Sequence, residues 1–307
     1  MEKNMRVNFE WLERRVVDAL SNTDTERIRY ELSRINKPCI ISGVGGSSVV
    51  STFASKVISD KNGIIADNFE PRDFLYRKLS GFQNVIACSY SGNNYGVELA
   101  FANDLKHYLL SNNSYDDTDV TYLKYDTTID KERSYISLGA TLIPVSILMN
   151  YYMNGDNSFV DTYFNDYDFN FDVYCDAFEI FSGYDTCTAS KYLESTFVEA
   201  GIGIPIVHDK YSYCHGRTTT SINYNNIAIY FDKGTEFDKL LIHELYKYYK
   251  DVVILNGMNP NQMLADYQLL VQAMYLTKHI AEQKNKDLSK VEYSPLVKSL
   301  YKYNGEI

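Results

Sequence analysis

Cys39-Ile40-Ile41-Ser42-Gly43-Val44-Gly45-Gly46-Ser47-Ser48 decides the fold. Pro38 stands just before it, so the apolar run 39–41 reads as a short buried strand between a breaker and a glycine. The glycines and serines that follow form a turn. Residues 49–59 then return to helical spacing. A strand that ends in a Gly/Ser turn and opens a helix begins a βαβ unit.

Upstream, Phe9, Leu12, Val16 and Leu20 keep a helical stripe, and Asp24 is placed to cap a second helix running to Ile35. Downstream, strands are expected at 63–66, 84–88 and 120–123. A turn at 89–94 leads into a helix expected to run through Leu110, and 136–152 is a long apolar helix interrupted by Pro144. The polar stretch 155–172 reads as a connector. The pattern then restarts, with strands at 179–182, 204–207, 227–231 and 252–255 and helices at 186–200, 237–249 and 262–283. The expectation is an α/β fold with two doubly wound domains, 1–154 and 173–307. Each is a mainly parallel sheet flanked by helices, and together they form an internal duplication.

The chain has 307 residues, enough for two cores, with 45% hydrophobic and 23% charged residues. Its formal net charge of -10 repels nucleic-acid backbones and anionic lipid, which excludes both as expected partners. An anionic ligand must therefore be gripped locally, by backbone N–H groups and a few cations. The five cysteines are scattered with no CxxC, as expected of free thiols in a reducing compartment. Met1-Glu2-Lys3-Asn4 opens no apolar leader, and no run approaches a membrane span. The expected location is cytoplasmic.

Two turns carry chemistry. Gly45, Gly46 and Ser47 let the backbone approach an anion at a helix start. Ser89-Tyr90-Ser91-Gly92-Asn93-Asn94 ends the third strand and offers two hydroxyls and further N–H groups. Adjacent strand ends of one open sheet bring such turns together. Ser48 stands where a dinucleotide fingerprint needs its third glycine, no P-loop lysine is present, and His243-Glu244 lacks the second histidine of HExxH. Neither cofactor nor metal is expected. His107, His208, His243 and His279 read as structural or exposed.

GVGGSS at 43–48, followed about 45 residues later by SYSGN at 89–93, resembles the SIS (sugar isomerase) domain family. SYSGN is nearest to the bifunctional phosphoglucose/phosphomannose isomerases. The resemblance implies a sugar phosphate held by Ser89, Ser91 and Asn94, with Gly45, Gly46 and Ser47 lining the sugar. Many members carry Thr where Asn94 stands. It also implies a catalytic base at Glu199, 16 positions before a ring-opening histidine at His215 (215 minus 199), with Glu194 as the other candidate base. Arg217 replaces the proline that commonly follows His-Gly in the family. Arg133 in Glu132-Arg133-Ser134 resembles an arginine facing the site, and Lys298 in a Pro-x-x-x-Lys tail resembles a lysine that reaches into it. The implied activity is aldose–ketose isomerisation of a sugar phosphate through a cis-enediol. The alternative is a catalytically silent protein that senses a sugar phosphate. The family also implies a homodimer with shared active sites. Tyr211, Tyr213 and Tyr224 around His215 agree with an interface.

Overall fold

The computed structural model describes residues 9–113, 117–130, 132, 134, 136–164, 167–221 and 225–290. Helix α1 (Leu12–Asn22) buries Leu12, Val16, Ala19 and Leu20. Asp24 caps α2 (Thr25–Ser33), its carboxylate accepting from Arg27 N at 3.0 Å. Strands β1 (Cys39–Gly43) and β3 (Asn84–Cys88) are buried along their whole length. This is why they read as continuous apolar runs rather than alternating ones. Between them lie α3 (Gly46–Asn62) and β2 (Ala66–Phe69). After β3 come α4 (Tyr95–Phe101), β4 (Lys106–Ser111), β5 (Val120–Lys124) and α5 (Gly139–Tyr152). The five strands form a parallel sheet in the order β2-β1-β3-β4-β5.

Two expected elements differ. The helix after the 89–94 turn stops at Phe101 rather than Leu110. Asn103 ends it with a turn, donating to Ala100 O and accepting from Leu105 N, and the buried Tyr108, Leu109 and Leu110 become β4. The strand expected at 63–66 begins three residues later. Gly63, at φ +64°, caps α3 in the left-handed conformation and delays the chain's extension to Ala66.

The stretch expected as a plain connector contains α6 (Ser158–Tyr163), which buries Phe159, Val160 and Tyr163. The second half is then β6 (Ala177–Ser182), α7 (Cys187–Glu199), β7 (Ile204–Asp209), β8 (Ile227–Asp232), α8 (Glu236–Leu245), β9 (Val252–Asn256) and α9 (Gln262–Gln283). Its parallel sheet runs β7-β6-β8-β9. Strand for strand this repeats the order β2-β1-β3-β4. The duplication expected from the sequence is therefore visible as repeated topology.

Helices α3 and α7, the first helix after the leading strand of each half, pack against each other. One hydrophobic cluster crosses this contact, with Val50, Phe53 and Val57 of α3 and Leu193 and Phe197 of α7, and it takes in Tyr267 of α9. Lys56 of α3 pairs within it with Asp266 of α9, which also accepts from Thr188 Oγ1 of α7. Among the described residues, no helix is long and apolar enough to cross a membrane.

Candidate functional site

Both Gly/Ser turns lie at the carboxyl ends of neighbouring strands, because β1 and β3 pair directly and in parallel. At the first, Gly45 takes φ +58° and ψ −129°, a conformation that only glycine adopts without strain. Ser47 N and Ser48 N bond back to Val44 O and Gly45 O as α3 begins. A Cβ on Gly46 would lie 2.5 Å from Ser137 Cβ, so glycine is needed for this approach. Thr141 Oγ1 braces the contact by donating to Ser137 Oγ at 2.9 Å.

The second turn is held from inside by Ser89, which is buried. Its Oγ accepts from Gly92 N at 3.1 Å and from Asn94 Nδ2 at 2.9 Å. Asn94 Oδ1 in turn accepts from Val97 N at 3.1 Å and caps α4. Ser91 is half-buried at the rim, and Gly92 lies at φ +71°. A small pocket of about 10 Å³ between the turns is lined by Ser42, Gly43, Ala87, Cys88 and Asn94, among others. It is roughly the size of one water, so a larger ligand would lie over the turns rather than beneath them.

The second half contributes Glu199, the last residue of α7. Its Oε1 lies 3.7 Å from the position a Cβ on Gly45 would occupy. Ser195 Oγ donates to the same oxygen at 3.0 Å. Burial pushes the carboxyl of Glu199 above the ordinary glutamate value, and the Ser195 bond partly offsets this. The packing of α3 on α7 thus sets a carboxylate of one half over the glycine turn of the other. Glu194 faces elsewhere and lies 3.4 Å from Lys191 Nζ.

No protein-family model matches the chain, and comparison with curated proteins finds no match. Solved structures do match. A candidate phosphosugar isomerase from Clostridium difficile 630 aligns over 97% of this chain and 98% of its own, with TM-score 0.73 and 14% identity. Glucosamine-6-phosphate deaminase from Thermotoga maritima aligns over 95% and 97%, with TM-score 0.70 and 14% identity. Tagatose-6-phosphate ketose/aldose isomerase from Escherichia coli aligns over 96% of each chain, with TM-score 0.69 and 13% identity.

The chain has an SIS-like fold. Within it, Gly45, Gly46 and Ser47 follow the end of β1, Ser89, Ser91 and Asn94 follow the end of the neighbouring β3, and Glu199 approaches Gly45, while Ser89 Oγ, expected to face a ligand, is turned inward to Gly92 N and Asn94 Nδ2. His215 does not join them. It lies exposed in the turn Tyr213–Arg217, which follows β7, and Gly216 beside it takes φ +110°. Among the described residues, no hydrogen bond or ion pair links His215 to Glu199 or to either turn. Arg133, Tyr224 and Lys298 lie outside the described residues. Tyr213 corrects an expectation: it is buried in its own half, with its ring edge-on to Phe181 at 4.7 Å, while Tyr211 is exposed. His208 is buried against Glu179 at 2.9 Å, as a structural histidine.

Sequence reasoning missed three supports of the site. Ser137 and Thr141 brace Gly46. Glu132 Oε1 accepts from Leu138 N and Ala140 N and so caps α5. The spacing from Glu132 to Ala140 was the available signal, a carboxylate just ahead of a helix start.

A larger cleft of about 550 Å³ opens at the opposite, amino-terminal end of the first sheet. Its cations already serve local acceptors. Lys61 donates to Tyr152 O and Asn154 Oδ1, and Arg29 to Asn150 Oδ1. Helix carboxyl ends surround it, and these repel an anion. Among the described residues no cluster of His, Cys, Asp and Glu is suited to a metal.

Proposed function

We propose that the chain is an aldose–ketose isomerase of a sugar phosphate. The observation that carries the reading is Glu199, half-buried and poised over the glycine turn beside the Ser-x-Ser-Gly turn. The 89–94 turn binds the phosphate and fixes the sugar, so that binding far from the reacting carbons positions them. After ring opening, the Glu199 carboxylate takes the proton from C2 of the open-chain aldose and returns it to C1 of the cis-enediol, giving the ketose. A hydroxyl proton moves between O2 and O1 in the same step. Desolvation suits Glu199 to this task by raising its basicity.

His215 opens the ring as acid and base, Arg133 offsets enediolate charge, and Lys298 assists ring opening. Gly45, Gly46 and Ser47 line the sugar. No cofactor or metal takes part. The active unit is a cytoplasmic homodimer with shared sites, consistent with His215 standing clear of its own chain's turns. The five unpaired cysteines accord with that compartment. The SYSGN form makes glucose and mannose phosphates the first substrates to try.

A second reading, a silent sugar-phosphate sensor, is favoured by one observation. The Asn94 amide already donates to Ser89 Oγ at 2.9 Å. A thermal-shift screen against sugar phosphates, followed by product analysis on the best binder, separates the two. Conversion supports the enzyme, and binding without conversion supports the sensor.

A further inference from the structure

The second sheet repeats the strand order of the first, so the carboxyl ends of β6 and β8 correspond to those of β1 and β3. The turns correspond as well. Ser182-Gly183 closes β6 as Ser42-Gly43 closes β1. After β8, Gly234 takes φ +73°, where Gly92 after β3 takes +71°. Thr235 then caps α8 as Asn94 caps α4, its Oγ1 accepting from Asp238 N at 3.1 Å. Yet this second cradle is already filled. The buried Asp238 carboxylate accepts from Lys233 N, Thr235 N and Thr235 Oγ1, and from Lys210 Nζ and Tyr230 OH at 2.7 Å each. Gly234 N bonds to Asp232 Oδ1. With all three N–H groups of the turn taken, it does not hold a phosphate as well.

What remains free is the side chain of Lys233. It is only 11% exposed, and its nearest carboxylate oxygen, Asp185 Oδ2, is 4.0 Å away, beyond hydrogen-bond reach. Among the described residues no hydrogen bond reaches its Nζ. Two further buried lysines belong to the same cluster, each bound to its own aspartate, Lys210 to Asp238 and Lys56 to Asp266. Gly183 leaves the space beside Asp185 without a side chain. A Cβ there would lie 2.8 Å from Asp185 Oδ1 and 3.4 Å from Lys210 Cε. Burial pushes the Lys233 amine below the ordinary lysine value. Asp185 and Asp266 oppose this, and Lys210 and Lys56 reinforce it. A desolvated lysine beside other cations loses its proton readily, and the neutral amine is a nucleophile.

We propose that Lys233 is a nucleophilic amine that condenses with small aldehydes to form an imine, with Asp185 as the proton carrier beside it. The amine lone pair forms the C–N bond at the carbonyl carbon, and the carbonyl π electrons move to oxygen. Asp185 then carries the two amine protons in turn to that oxygen, which leaves as water as the C=N bond forms. The step needs no oxidant or reductant. It is separate from the chemistry proposed at Glu199 and does not depend on it.

Reductive trapping is the test. The full-length protein is incubated with glycolaldehyde and sodium cyanoborohydride, which reduces the imine to a stable secondary amine, and its peptides are mapped by mass spectrometry over time. Lys239 is the internal reference, because its side chain is 67% exposed and lies in the neighbouring helix α8. Lys233 should be modified on the order of tenfold faster than Lys239, although it is far less accessible. Lys233→Arg keeps the charge and should abolish the fast modification with an unchanged circular-dichroism melt. Asp185→Asn should leave the label on Lys233 but slow its appearance. Lys233 modified no faster than Lys239, or a fast label that persists in Lys233→Arg, overturns the proposal, and the wild-type map decides this even where a variant fails to fold. Glu199→Gln should be labelled like wild type, so failure at Lys233 and failure of the isomerase reading are distinguishable.

Discussion

Glu199 Oε1 faces Gly45 across the contact between the two halves, 3.7 Å from where a side chain on that glycine would begin. Gly45→Ala should therefore act in two ways. The backbone at φ +58° is strained for alanine, costing roughly 1–3 kcal/mol in urea denaturation. The new methyl also fills the space between carboxylate and turn, so sugar-phosphate binding should fall further than stability explains. Unchanged affinity in a titration would place the ligand elsewhere.

The pH profile follows from the same carboxylate. Burial raises its pKa, and the bond from Ser195 opposes that rise. The base must be ionised to act, so activity is lost as pH falls through the folded-state pKa. The acidic limb of kcat/KM should thus lie above the ordinary glutamate range. Ser195→Ala removes the lowering contribution and should move the limb to still higher pH. A shift to lower pH would mean that another group controls the limb.

The serines of the second turn should separate. Ser91 stands at the rim, and Ser91→Ala should weaken sugar-phosphate binding by about 1.5–3 kcal/mol with little change in melting temperature. Ser89 accepts two internal bonds while buried, so Ser89→Ala should lower stability by about 1–3 kcal/mol as well. Calorimetric titration and thermal melts of both variants check the division.

Lys56 and Asp266 form a fully buried ion pair between the halves. Asp266→Ala leaves the lysine uncompensated and should cost about 3–5 kcal/mol. Replacing both, as Lys56→Met with Asp266→Leu, should recover much of that loss in urea denaturation.

The sequence revealed strands buried on both faces most readily, because 39–41, 85–88 and 227–231 are continuous apolar runs. It hid β4, whose residues 106–110 continue a helical pattern and are redirected only by the Asn103 turn. The Gly/Ser turns were legible because their chemistry is local. The approach of Glu199 to Gly45 was not, since it depends on α3 packing against α7 some 150 positions apart (199 − 45 = 154). The resemblance supplied that pairing, and periodicity could not. Ser89 read as a ligand donor, yet its oxygen is turned inward, a choice made by the geometry of Gly92 and Asn94.

The central claim is that Glu199 moves a proton on a sugar phosphate bound over the two turns. The most direct measurement is NMR of glucose and mannose phosphates incubated in D2O with wild type and with Glu199→Gln. Wild type should introduce deuterium at C2 and yield the ketose phosphate. Glu199→Gln should bind the same compound with similar affinity and exchange no C2 proton, because the amide keeps the shape but cannot accept it. Full exchange in Glu199→Gln, or binding by wild type with no exchange at all, would contradict the account.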